Sequence, residues 1–160
     1  MNAPYRVVAL DLAVAEQLRA TRADEYGNVA LREVTADATP GYPCRVCLRD
    51  AAIGEKMLLF SYSPFPQPHP YRTVGPIYVH AQACAPPSEM AALPEQLRRR
   101  LLSLRAYGAD SFMLDAAVVE GSEADGVIDR FLADPRVAFL HVHNARPGCY
   151  AARIERGQPC

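Results

Sequence analysis

Three short segments hold most of the thiols and imidazoles of this chain. They are Cys44-Arg45-Val46-Cys47, the run Gly75 to His80 followed by Cys84, and His141-Val142-His143-Asn144-Ala145-Arg146-Pro147-Gly148-Cys149-Tyr150. Four of the five cysteines and three of the four histidines lie within them. Two thiols spaced as Cys44-x-x-Cys47 can chelate zinc, or can cycle through a disulfide in which one thiol attacks and the other resolves. A structural zinc takes four ligands, and the chain has no second CxxC. Cys84 is the first candidate to join Cys44 and Cys47 as a metal ligand. His80-x-x-x-Cys84 is a possible second pair, with His141, His143 and Cys149 as the other sources. Zinc is therefore a possible cofactor that nothing in the sequence requires. Buried thiols with no special role compete with it, because cysteine often serves as a small hydrophobe. A redox motif normally opens a helix that follows a strand. A short helix over Leu48 to Ile53 would partly meet that condition, but the β-α pattern of a thioredoxin fold is missing.

His141 and His143 alternate with Leu140 and Val142, so a strand here points both imidazoles to one face. Such a pair suits a metal or an anionic ligand; hydrogen-bonded histidines on a sheet face are the plain alternative. Arg146, in the turn beyond them, and Arg72, beside Tyr71, are natural bidentate partners for carboxylate or phosphate. A pocket for a small anionic molecule would then be walled by Tyr71, Arg72, His80, His141, His143, Arg146 and Tyr150. Were the protein an enzyme, Cys149 or Cys44 would be the nucleophile and His141 or His143 the general base. Register decides the neighbours of this hairpin. If Asn144 pairs with Cys149, His143 faces Tyr150; a slip of one residue makes a Cys-His couple instead. Asp115, within an apolar run, is a general base only if buried, and otherwise marks the solvent side of an edge strand.

These residues need elements to hold them. Tyr5 to Leu10 reads as extended, and Asp11 can cap a helix from Leu12 to Arg22. Val29 to Thr35, Glu55 to Ser63 and Gly75 to His80 read as strands, the second apolar on both faces and so central in its sheet. Four prolines between Pro64 and Pro70 fix an extended loop. Leu97 to Tyr107 fits either helix or strand. A Gly108-Ala109-Asp110 turn leads to a strand from Ser111 to Val119. Ser122-Glu123-Ala124-Asp125 has the form of a capping box ahead of an apolar helical stripe. The closing strands are Val137 to Asn144 and Cys149 to Arg156. The expected fold is α+β: one domain over residues 1–160, a mostly antiparallel sheet of about seven strands, and two or three helices.

Composition narrows the function classes. The formal net charge is −1, with 22% of residues charged and 50% hydrophobic, so no global field favours nucleic acid or a membrane surface. The run Arg98-Arg99-Arg100 reads as a solvated charged face. No apolar stretch reaches the ~20 residues of a membrane span, and the N-terminal run is too short for a signal core. A cytoplasmic location is expected, where thiols persist as thiols, ligands or redox groups. Neither a Gly-rich phosphate loop, a nucleophile elbow nor an H-E-x-x-H motif is present.

Taken together, Pro43-Cys44-Arg45-x-Cys47-Leu48, Gly54-Glu55, Tyr62-x-Pro64-Phe65, Pro70-Tyr71, Gly75-Pro76-Ile77-x-Val79-His80, His141-Val142-His143-Asn144-Ala145, Gly148-Cys149-Tyr150 and Ile154-Glu155-Arg156 resemble the bacterial family called domain of unknown function 1203. The resemblance spans nearly the whole chain and implies a small bacterial single-domain protein. It carries no activity with it. Three functions therefore stand open: a small-molecule binder or small enzyme with a His/Arg/Cys pocket, a binding module with a structural zinc at the CxxC, and a thiol redox protein. No nucleic acid or membrane partner is expected.

Overall fold

The computed structural model describes residues 5–28, 32–88 and 90–157. The chain runs β1 (Tyr5–Val8), α1 (Leu12–Thr21), β2 (Arg32–Thr35), β3 (Lys56–Tyr62), β4 (Gly75–His80), α2 (Glu95–Arg98), β5 (Leu101–Tyr107), β6 (Met113–Glu120), α3 (Ala124–Ala133), β7 (Phe139–Asn144) and β8 (Tyr150–Arg156). All the pairings are antiparallel, as expected, but the strands divide between two sheets. One has five strands in the order β1-β8-β7-β5-β6, and the other has three in the order β2-β3-β4. Of the first expected strand in the smaller sheet, Val29 and Leu31 lie outside the described residues, as does Cys160.

Each sheet has its own core. On the larger sheet, Leu102 and Leu104 of β5 and Leu140 and Val142 of β7 meet Ile128 and Phe131 of α3. The smaller sheet buries Met57, Leu58 and Phe60 of β3 with Ile77 and Val79 of β4 against Ala15 and Leu18 of α1. As its two-faced apolar pattern requires, β3 is the central strand. Helix α1 starts where the carboxylate of Asp11 accepts from the Ala13 amide at 2.9 Å. It closes on Arg22, which takes the left-handed conformation at φ 53°.

One ambiguity resolves and two local expectations change. The ambiguous Leu97–Tyr107 stretch splits into the end of the short helix α2 and strand β5. Ser122 makes no capping box: a 3-10 turn at Gly121–Glu123 precedes α3, and no side chain caps either element. Gly121 packs so closely on α2 that its path is fixed there, a Cβ at this position falling 2.0 Å from the Leu97 carbonyl oxygen. Nor is there a helix over Leu48 to Ile53. Residues 45–47 form a turn, bracketed by bridges from Pro43 to Asp50 and from Cys44 to Tyr78 of β4. Leu48 leaves that turn at φ 52° and is buried, so packing holds a bulky residue in a conformation costing roughly 1–2 kcal/mol.

In the C-terminal hairpin, His143 pairs with Tyr150, and the Asn144 amide donates to the Cys149 carbonyl at 2.9 Å. This is the register in which no direct Cys-His couple forms. The pairing shifts between Val142, opposite Ala152, and His143, which leaves Ala151 as the extra residue of a bulge.

Candidate functional site

The turn at 45–47 brings Cys44 and Cys47 together beside the end of β4, where His80 is the last strand residue and Cys84 follows in the loop. The ligand atoms of Cys44, Cys47, His80 and Cys84 all lie within 4.8 Å of one another. Cys44 Sγ stands 3.7 Å from Cys84 Sγ, and Cys47 Sγ stands 3.5 Å from His80 Nδ1. Cys44, Cys47 and His80 are buried and Cys84 is half-buried. This group can hold a metal ion.

The surroundings suit that role. The second imidazole nitrogen of His80 is 3.0 Å from a Glu55 carboxylate oxygen, which fixes the ring and turns Nδ1 toward the sulfurs. Arg19, in the last turn of α1, donates to Cys84 Sγ at 3.4 Å and to the His80 carbonyl at 3.0 Å. The turn itself is pinned by the Arg45 amide on the Tyr78 carbonyl at 3.0 Å and the Cys44 amide on the Arg49 carbonyl at 3.0 Å.

Without a metal these groups share protons unequally. Hydrogen bonding from Cys47, then Cys84, pushes the Cys44 thiol far below the ordinary thiol range against the cost of burial. The same bond to Cys44 drives Cys47 upward. His80 rises to about 10, first through its hydrogen bond to Cys44, then Cys84, with Glu55 adding to the effect and burial opposing it. The cluster thus favours separated charge, a Cys44 thiolate beside a His80 imidazolium, and a divalent cation would displace the imidazolium proton and those of the remaining thiols.

A second cluster lies where the two sheets meet. Arg45, between Cys44 and Cys47, is only 1% exposed. Its guanidinium donates to the Tyr150 carbonyl at 2.8 Å, the Pro43 carbonyl at 2.6 Å and Cys149 Sγ at 3.1 Å. Asn144 Nδ2 also donates to Cys149 Sγ, at 3.5 Å. Cys149 is half-buried and opens onto two clefts. One, of about 510 Å³, is lined by Arg45, Arg99, Arg100, Asn144 and Arg146 among others; the second, of about 360 Å³, is lined by Tyr62, Arg105, His143 and Tyr150 among others.

The residues named for an anionic pocket are therefore distributed over several places. His80 belongs to the Cys/His cluster. Arg146 lines the larger cleft, and His143 and Tyr150 line the smaller one. His143 Nδ1 is 2.9 Å from the Gly148 carbonyl, and burial lowers its pKa to about 4. His141, 1% exposed, is enclosed by Phe65, Tyr107, Phe139 and Tyr150 and lines neither cleft. Burial first, then the charges of His143, Arg153 and Arg105, lowers its pKa to about 3. Tyr71 sits at the outer edge of that aromatic group, against Tyr107 and Phe112, while Arg72 reaches Tyr26 instead. Asp115 is exposed on the edge strand β6.

Sequence reasoning gave no role to Arg45, Glu55, Arg19 or Asn144. An arginine enclosed by the CxxC was the one available signal, since a turn tight enough to join two ligands must also direct what lies between them.

No curated protein and no solved structure matches the chain. A family model does: residues 41–156, which contain both clusters except for Arg19, match the one described as Protein of unknown function (DUF1203), and the chain belongs to that family.

Proposed function

We propose that this protein is a zinc-binding protein whose Cys44, Cys47, His80 and Cys84 hold the ion in a closed Cys₃His centre. The observation that carries the reading is the spacing of the donors. Tetrahedral zinc with Zn–S of about 2.3 Å and Zn–N of about 2.0–2.1 Å sets its ligand atoms about 3.8 Å apart for a sulfur pair and about 3.6 Å for a sulfur–nitrogen pair. The separations of 3.7 Å for Cys44–Cys84 and 3.5 Å for Cys47–His80 match those edges. Three soft thiolates with one imidazole favour zinc over magnesium or calcium, which take oxygen donors.

Four protein ligands leave no open coordination position, so the role is structural rather than catalytic. The ion would tie the turn at 45–47 to the end of β4 and the loop after it. It would also hold Arg45 at the meeting of the two sheets. The reading is tested on protein purified under reducing conditions without added metal. About one zinc per chain is expected, with a marked loss of thermal stability on chelation that added zinc restores. Protein that carries no zinc and takes up none when it is supplied would overturn the proposal.

A further inference from the structure

We propose that Cys149 is the nucleophile of a group-transfer site for a small electrophile bearing a carboxylate or phosphate, at a place separate from the metal centre. A guanidinium stays protonated in proteins, and a buried charge is costly unless it is paired. Among the described residues no carboxylate bonds to Arg45; its acceptors are two backbone carbonyls and the sulfur of Cys149. Of the three, only the sulfur can carry a full negative charge. A second donor, Asn144 Nδ2, converges on the same sulfur. Two N–H donors therefore converge on one sulfur, which fixes its position at the cleft wall.

The sulfur is also reachable, and its cleft has the right lining. A volume of about 510 Å³ is within the range of small-molecule sites. Arg45 and Asn144, 1% and 4% exposed, both line it, and Asn144 Oδ1 is buried with no hydrogen-bond partner. That unmet oxygen is a place for a donor group of a ligand. At the rim, Arg100 is matched by Asp50 and Arg99 by Glu95, whereas Arg146 has no carboxylate partner among the described residues. One arginine thus stands ready to take the anionic group of a ligand whose reactive carbon reaches Cys149. In the reaction, a sulfur lone pair forms the S–C bond, the thiol proton passes to solvent, and the bond from that carbon to the leaving group breaks. The electron pair departs with the leaving group, and Arg45 keeps its protons throughout.

Iodoacetate, a small carboxylate electrophile that loses iodide, is the test probe, with neutral iodoacetamide as its control. Labelling of Cys149 is followed by peptide mass spectrometry at pH 7 on the full chain as purified. The expected result is a Cys149 rate with iodoacetate that saturates with concentration and a preference for iodoacetate over iodoacetamide ~10-fold above that of free cysteine, equivalent to about 1.4 kcal/mol of anion selectivity. Arg146→Ala, at an exposed rim position, should erase most of that preference. Inorganic phosphate should slow labelling by iodoacetate. A Cys149 no more reactive than free cysteine, or a preference that Arg146→Ala leaves unchanged, would overturn the proposal. Zinc content measured on the same samples keeps this outcome distinct from the fate of the metal reading.

Discussion

Glu55 and His141 show opposite uses of a polar contact. Glu55 accepts from the far nitrogen of His80 and so orients the nitrogen that faces the sulfurs. Partners of this kind are typically worth ~10–100-fold in metal affinity. Glu55→Ala should therefore bind zinc ~10–100-fold more weakly than the parent in a competitive chelator titration, while still binding one ion per chain. Equal affinity would show that the carboxylate does not support the site.

His141 is instead an imidazole kept neutral by its aromatic surroundings. Its pKa falls to about 3, below the ordinary 6.5, because burial penalises the cation. Between those two values the unfolded chain binds a proton that the folded chain refuses, so stability falls as pH drops through that window. The slope is about 1.4 kcal/mol per pH unit for one such group. Nδ1 of His141 has no partner, so a non-titrating replacement leaves no broken bond behind. His141→Leu should flatten the loss of stability between pH 6 and about 4.5 by roughly that slope, read from urea midpoints of both proteins at each pH. An unchanged slope would mean that His141 titrates in the folded state much as in the unfolded one.

Among the elements, periodicity revealed the strands that lie within a single segment. Lys56–Tyr62 and Gly75–His80 follow from alternation and apolar runs, as does the stripe of α3. Their division into two sheets does not, because which strand pairs with which depends on contacts far apart in sequence. The bulge at Ala151 is equally silent, since one extra residue in a strand leaves no compositional mark. At the site, the CxxC itself was legible. That its partners are His80 and Cys84, rather than His141, His143 or Cys149, is decided by the Cys44–Tyr78 bridge, a tertiary contact. Gly121 is a further case where packing overrides a local signal. An added methyl there meets the Leu97 carbonyl oxygen of α2 and, just past the helix, the Arg100 carbonyl oxygen at 2.9 Å, and neither is part of a flexible side chain. Gly121→Ala should destabilise the fold by on the order of 2–3 kcal/mol, measured by denaturant unfolding. A change within about 0.5 kcal/mol would mean that α2 yields at no cost.

At the scale of the whole molecule, two sheets with separate cores share a seam that contains Arg45. Its backbone holds β4 through Tyr78, and its side chain holds β8 through Tyr150. The proposed metal centre would fix the residues on either side of it, and the Cys149 sulfur accepts from its guanidinium. No helix of the described structure is long and apolar enough to cross a membrane. The donors gathered beside this seam, from Cys44, Cys47, His80 and Cys84, are three sulfurs and one nitrogen. Zinc-edge X-ray absorption on the purified protein measures the first coordination shell directly. Three sulfurs at about 2.3 Å and one nitrogen at about 2.0–2.1 Å are expected. A shell dominated by oxygen, or no bound zinc to measure, would contradict the proposed centre.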